Sequence, residues 1–439
     1  MDKNKAFLHT GSGIKSSVTF TFSGNLIGAG LGALALFIIA RRFNTSDFGI
    51  FSIILVTIRT IPLFASFGMD TSMTTIASGY LGDGKSREAS ETIRAAFFLR
   101  LLSSALISCI LFAAAGLISE KAFHSPRLEP LLKIASLGVL TTSVFNYFKY
   151  ALWAHQSFKK YFTLMVLTDS GKLFAVLALT AAGYLTTLSA TLVYSLAPLI
   201  GAVPALAHFN KKLFPKEKIL PGMIGRLLKY SKWLFLSETC KTAVSSFDLF
   251  IIAHILGSNA AGQYGLASNL MYLFPIFLIS LRAALMPHMA RFSQKEQFIK
   301  YIRRSLTYSL WLGLGLLPLL FFSKHLILFF FGSRYINSVH VFNILLVVNI
   351  ISPVMTTLYT ALQALYKPFI LAMLDLIRLL AMIIGAIIAT QRFGLTGPPF
   401  VLLFINIATL AYLLQYLLRL LQRKDITFGP KRSADLVEN

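Results

Sequence analysis

The polarity of the chain changes in long blocks. Apolar runs of about 20 residues or more, the length that crosses ~30 Å of hydrocarbon, alternate with short gaps that hold most of the Lys, Arg, Gly and Pro. Read this way, the sequence predicts twelve transmembrane helices, at 16–40, 47–69, 93–118, 130–153, 161–183, 187–208, 230–254, 263–287, 305–331, 339–364, 368–390 and 396–420. The gaps leave no room for a soluble domain. The widest, 209–229, carries Lys211, Lys212, Lys216, Lys218, Arg226 and Lys229 together with Pro215 and Pro221, and predicts a linker at mid-chain.

The pattern repeats. Asp47-Phe48-Gly49 opens the second span and Gln263-Tyr264-Gly265 opens the eighth, each after a short polar turn and 216 residues apart. Six spans per half is an even number, so both halves start on the same side of the membrane. The repeat is then parallel, with a pseudo-two-fold axis along the membrane normal. The expected fold is all-α integral membrane: twelve transmembrane helices in two parallel six-helix bundles around a central cleft. The N-terminal bundle is expected at 1–208, a cytoplasmic linker at 209–229, the C-terminal bundle at 230–420 and a cytoplasmic tail at 421–439.

Charge sets the orientation. With the N-terminus inside, 27 of the 34 Lys and Arg in the gaps and towards the span ends fall on the cytoplasmic side, the asymmetry that orients multispan proteins. Both termini are therefore expected in the cytoplasm. Composition agrees with the membrane reading: apolar residues are 56% of the chain and charged residues 13%, about half the charge of a soluble domain. The excess of 41 Lys and Arg over 17 Asp and Glu lies in the short gaps, so it reads as orientation and not as a nucleic-acid surface. Residues 1–15 are polar and the first apolar block is long enough to stay in the bilayer, so no cleavable signal peptide is expected.

Motifs of enzymatic chemistry are missing. Gly11-Ser12-Gly13-Ile14-Lys15-Ser16 lacks the adjacent Gly-Lys and the preceding strand of a phosphate loop. No zinc-binding or nucleophile-elbow sequence occurs, and the eight His are scattered. Cys109 and Cys240 lie inside apolar blocks and give neither zinc spacing nor a disulfide framework. No cofactor is expected.

The informative residues are the charges within the spans, each of which costs several kcal/mol at the bilayer centre unless it is paired or wet. Asp169 and Lys172, Glu238 and Lys241, and Asp375 and Arg378 are spaced i,i+3 and share a helix face. Local neutralisation and a coupling-ion or substrate role are both open for these pairs, with Glu238 and Asp248 the foremost acids. Arg59 and Arg282 lack a local acid. Arg59 lies mid-span, too far from either end to snorkel, and a guanidinium suits bidentate contact with phosphate. Arg100 and Lys133 lie near span ends and are expected to reach the surface, and Asp70, also near an end, is expected to be hydrated. Gly24, Gly28, Gly30 and Gly32 along the first span suit close helix packing or a hinge.

With these features on the page, the chain resembles bacterial polysaccharide flippases. The carrying residues are the turn Arg41-Arg42-Phe43-Asn44-Thr45-Ser46-Asp47-Phe48-Gly49, Gly68-Met69-Asp70, Asp248, Gly262-Gln263-Tyr264-Gly265, Pro275 and Pro287-His288-Met289-Ala290-Arg291. The resemblance covers nearly the whole chain and points to the O-antigen and teichoic-acid exporter branch of the multidrug, oligosaccharidyl-lipid and polysaccharide exporter superfamily. It implies a multi-pass protein of the bacterial cytoplasmic (inner) membrane. It implies translocation of an undecaprenyl-diphosphate-linked oligosaccharide repeat unit to the outer leaflet by alternating access. The partners it implies are that lipid-linked oligosaccharide and membrane lipid, with H+ or Na+ as coupling ion and a polysaccharide polymerase and glycosyltransferases alongside.

On this reading Arg59 and Arg282 hold the diphosphate, and Tyr147, Tyr150 and Trp153 on the fourth span stack on sugar rings. Glu238, Asp248, Asp169 and Asp375 are the candidates for ion coupling. An ion-coupled multidrug antiporter of the same superfamily is the alternative. It would need acids facing the cleft, because its substrates are cations. A membrane-embedded transferase is a third class, and would be expected to carry a large outer loop.

Overall fold

The computed structural model describes residues 10–213, 222–271, 273–289, 295–365 and 368–422. Among them the chain is helical throughout, with no strand. The central part of the 209–229 linker, the Pro287–Arg291 motif from Ala290 onward and nearly all of the 421–439 tail lie outside the described residues.

Contacts divide the chain into two compact units, Met1–Glu238 and Thr239–Asn439. The first holds α1 (Thr10–Arg42), α2 (Thr45–Ala65), α3 (Met69–Gly82), α4 (Ser86–Leu117), α5 (Leu128–Ala154), α6 (Phe158–Ala181), α7 (Thr187–Leu213) and the start of α8 (Met223–Val244). The second holds the end of α8 and α9 (Phe247–Met271), α10 (Phe274–Met289), α11 (Lys295–Leu314), α12 (Leu317–Phe331), α13 (Ser338–Ala364), α14 (Pro368–Phe393) and α15 (Gly397–Gln422). Ten segments are long and apolar enough to cross a membrane, and two of them, Phe235–Ile279 and Phe369–Gln422, run over two of the twelve spans each.

The repeat is clearer in the helices than in the residues. The helices α13, α14 and α15 begin 210 residues after α5, α6 and α7 respectively, and α5 and α13 are both 27 residues long. The register of the halves is therefore 210 over these helices, not the 216 of the short motifs, because the earlier connections differ in length.

Several spans are broken where the sequence reads as continuous. The second ends as helix at Ala65 and restarts at Met69. Across the break Phe67 and Gly68 take positive φ values of 46° and 70°, and the Ser66 hydroxyl accepts the Gly68 N–H at 3.3 Å. Gly68 is needed twice over. Its φ is left-handed, and a Cβ there would stand 2.8 Å from the Ser231 carbonyl oxygen and 2.9 Å from the Phe235 nitrogen of α8. That close approach packs the first half of α8 on the first unit, which runs to Glu238. The seventh span breaks at Ser245–Ser246, and α9 is bent at Gly257, whose φ of 82° and ψ of −178° are open only to glycine. The ninth span divides into α11 and α12 at Gly315–Leu316, where Pro318 enters the first turn of α12. Within α2, Asn44 caps the helix by accepting the Asp47 N–H at 2.7 Å, and its amide donates to the Asp47 carboxylate at 2.8 Å.

Each unit has its own apolar core. In the first, Phe97, Tyr147, Phe148, Leu152 and Tyr161 pack together. In the second, Phe298, Leu358, Leu362, Leu413 and Leu417 do so.

Candidate functional site

In the first unit α2 is the most enclosed helix: Phe48 through Ile58 are all buried. The next residue, Arg59, is half-buried and lies within electrostatic reach of Tyr194 on α7. Tyr194 sets its ring 5.1 Å from Phe51, and the Lys172 ammonium stands 5.1 Å over the Tyr194 ring. Lys172 donates to Asp169 at 2.5 Å, so the i,i+3 pair expected on α6 forms. Gly28 of α1 makes room for it, since a Cβ there would lie 2.7 Å from the Asp169 carboxylate. A Cβ at Gly24 would similarly approach Phe162, while one at Gly30 would meet nothing. Two of the four glycines therefore serve close packing of α1 on α6.

A second charged group lies on α3, α4 and α5. Because the chain breaks at Ser66–Gly68 and re-enters a helix, Asp70 sits on the first turn of α3, where a carboxylate is favoured, and is 7% exposed. The Arg100 guanidinium comes to 3.2 Å of it and is 2% exposed. Both expectations for these residues are corrected: Asp70 is not hydrated and Arg100 does not snorkel, because each finds the other inside the bundle. Lys133, by contrast, is partly exposed, with Glu129 at 2.8 Å. Lys149, near the inner end of the fourth predicted span, lies within α5, in electrostatic reach of Asp70, Arg100 and Asp169. It links the two groups. With Glu238, which reaches Tyr150, their sum is four cations (Arg59, Arg100, Lys149, Lys172) against three acids (Asp70, Asp169, Glu238).

The three aromatics of the fourth span divide. Tyr147 is 1% exposed, donates its hydroxyl to the Ile93 carbonyl at 2.9 Å and belongs to the core. Tyr150 lies 5.3 Å under the Lys149 ammonium and 5.8 Å from Trp153, which in turn stands 5.7 Å from Tyr161. Tyr161 donates to Asn25 on α1 at 2.7 Å. Tyr150 and Trp153 thus border the cationic group, and Tyr147 does not.

The second unit gathers a different cluster around Asp375. It accepts the Tyr359 hydroxyl at 2.8 Å, has Arg378 at 3.4 Å and has Lys241 at 3.6 Å. Arg378 also donates to Asn406 at 2.8 Å. The expected Glu238–Lys241 pairing is replaced. Lys241 turns to Asp375, the deeper carboxylate, while Glu238 is exposed. Asp248 is buried, with its oxygens taken by the Tyr264 hydroxyl and the Leu249 N–H. Arg282 on α10 is exposed and pairs with no acid among the described residues. No three His, Cys, Asp or Glu side chains among the described residues converge as metal ligands. Tyr194, Tyr359 and Asn406 carry no charge or spacing that would have singled them out in the sequence.

Two units of long apolar helices with charged clusters among them make a fold that recurs in solved structures. The structure superposes on an inward-facing multidrug resistance MATE family transporter of the MOP superfamily with a TM-score of 0.73 at 12% identity, covering 90% of this chain and 96% of that one. It superposes on the lipid II flippase MurJ, inward closed, with a TM-score of 0.72 at 16% identity, covering 91% and 87%. Residues 38–340 match the model of the polysaccharide biosynthesis protein family, and the chain belongs to that family. It is 24% identical to a putative O-antigen transporter of Shigella flexneri over 39% of this chain and 42% of that one, so that match spans under half of the relative's length. It is 25% identical to a probable low-salt glycan biosynthesis flippase of Haloferax volcanii, over 86% of this chain and 77% of the relative.

Proposed function

We propose that this protein flips a lipid-linked oligosaccharide, carried on undecaprenyl diphosphate, from the cytoplasmic to the outer leaflet of the bacterial inner membrane by alternating access of its two bundles. The observation that carries this reading is the sign of the interior. The two linked charged groups of the first unit hold four cations against three acids, and the diphosphate brings about two negative charges at neutral pH. Arg59 and Arg282 are assigned to the diphosphate, joined by the half-buried Lys149. Tyr150 and Trp153 are assigned to the first sugars. Both termini and the 209–229 linker lie in the cytoplasm on this reading. A proton or sodium gradient, or consumption of the cargo outside by a polymerase, drives the cycle, and glycosyltransferases supply the cargo.

The cation antiporter is disfavoured by the same chemistry. Asp70 faces Arg100, Asp169 faces Lys172, Asp375 faces two cations and Asp248 holds a tyrosine hydroxyl. These four acids are already neutralised and have little field left for a cationic drug; of the candidate acids only Glu238, which is exposed, has no such partner among the described residues.

The test is a reconstituted flipping assay with a fluorescent undecaprenyl-diphosphate oligosaccharide, run beside efflux of a cationic dye. Arg59→Ala and Arg282→Ala should each slow flipping by about tenfold or more, and Lys at either site should retain part of the rate because charge survives without the bidentate fork. Normal flipping in the double alanine variant refutes the assignment, and dye efflux without flipping favours the antiporter.

A further inference from the structure

Glu238 has no ion pair among the described residues, because its i,i+3 neighbour Lys241 turns to Asp375, and its carboxylate is exposed. A carboxylate left in that state works against a diphosphate, so the diphosphate does not account for it. Its surroundings do. Ser231, Phe235 and Glu238 are spaced i, i+4, i+7 and share one face of α8. The first two lie on the break between α2 and α3: a Cβ on Gly68 would stand 2.8 Å from the Ser231 carbonyl oxygen, and the Phe235 ring is 5.2 Å from Phe67. Glu238 continues that face by one turn and comes within electrostatic reach of Tyr150 on α5. The Thr74 hydroxyl of α3 donates to the Tyr150 carbonyl at 3.4 Å, which ties Tyr150 to the helix that begins at the break.

The other charges around Tyr150 are already engaged. Asp70, the second acid in reach, is held by Arg100 at 3.2 Å. Lys149, 5.3 Å over the Tyr150 ring, is assigned to the diphosphate. Trp153, 5.8 Å from Tyr150, has a buried indole N–H with no acceptor among the described residues. Once a diphosphate takes Lys149, the free charge beside the Tyr150 ring is that of Glu238. A pyranose lays its C–H face on an aromatic ring and turns its hydroxyls outward. An ionised carboxylate only accepts hydrogen bonds, which suits those hydroxyls, and it repels a second carboxylate. The cation excess of the interior draws in any anion, so only an acid beside the sugar can discriminate there. We propose that Glu238 sets the charge of the sugar next to the diphosphate: it binds the hydroxyls of a neutral sugar and excludes a uronic acid. The proposal rests on the substrate class assigned under Proposed function.

The test uses three fluorescent undecaprenyl-diphosphate oligosaccharides that differ only at C6 of the first sugar. One carries the hydroxymethyl group of glucose, one the carboxylate of glucuronic acid, and one the methyl ester of that carboxylate. Flipping by the reconstituted protein is measured with each at neutral pH and low salt. The wild-type protein should flip the glucose and ester cargoes at similar rates and the glucuronate about tenfold or more slowly. Glu238→Gln keeps the shape and removes the charge, and should bring the ratio of glucose to glucuronate flipping to within about twofold of unity. Because the readout is a ratio within one protein, it does not depend on how much of the variant folds.

Equal flipping of all three cargoes by the wild-type protein, or a ratio unchanged in Glu238→Gln, would overturn the proposal. An ester flipped as slowly as the glucuronate would overturn it too, since shape and not charge would then be the filter. Loss of dependence on a proton or sodium gradient in Glu238→Gln, with the ratio unchanged, would make Glu238 a coupling residue instead. Failure of the substrate reading looks different: the wild-type protein would flip none of the three cargoes, and this proposal would fall with it.

Discussion

Replacing Asp70 by Asn removes the carboxylate that faces Arg100 while keeping its shape. The pair is buried on both sides, with side-chain exposures of 2% and 9%, so solvent screening takes little from it. At the observed 3.2 Å the direct attraction is about 5 kcal/mol at an effective dielectric of ~20. Breaking a buried pair by removing one partner costs about 3–5 kcal/mol, because the remaining charge is left uncompensated. Lys149 makes matters worse, since it lies in reach of the same carboxylate and repels Arg100 once the acid is gone. We therefore expect Asp70→Asn to lose about 3–5 kcal/mol in reversible unfolding in mixed micelles. Exchanging both partners for apolar residues of similar volume, Asp70→Leu with Arg100→Met, should recover most of that loss, since buried pairs replaced in this way are often neutral to stability. Flipping should not recover with it, because the apolar pair removes the two charges that set the field at Lys149, which is assigned to the diphosphate. The reasoning fails if Asp70→Asn costs less than about 1 kcal/mol, the range of an exposed pair, or if the apolar double variant flips at the wild-type rate.

Three further outcomes are expected. Gly28→Val should cost about 1–3 kcal/mol by driving a side chain into Asp169, whereas Gly30→Val, which meets nothing, should stay within about 0.5 kcal/mol; equal costs in the same unfolding assay would refute the close approach of α1 to α6. Tyr147→Phe should cost about 1 kcal/mol for the hydrogen bond to Ile93 and leave the flipping rate unchanged, and a large rate loss in a stable variant would return Tyr147 to the substrate path. In a background with Cys109 and Cys240 replaced, a cysteine at Lys216 should resist an impermeant thiol reagent added outside intact cells; strong labelling would reverse the topology.

The sequence alone determined the parts of this protein that depend on neighbours in the chain. Span length is a local property, because each helix satisfies its own backbone hydrogen bonds in the membrane, and the hydropathy blocks therefore mapped onto the helices. The count of six spans per half, the Asn44 cap and the i,i+3 pairs Asp169–Lys172 and Asp375–Arg378 are local in the same way. What depends on partners distant in the chain was decided only by the tertiary structure. Asp70 meets Arg100 from 30 residues away, and Lys241 leaves its neighbour Glu238 for Asp375, 134 residues on. A charge buried in a bundle takes whichever opposite charge the packing brings to it, and sequence spacing carries no record of that choice. The break at Gly68 shows the same division. The glycine is visible in the sequence, but the α8 backbone that leaves no room for a side chain arrives from more than 160 residues further along. The interior of the first unit owes its excess of positive charge to these non-local meetings, since only the fold sets Lys149 and Arg100 beside one shared carboxylate.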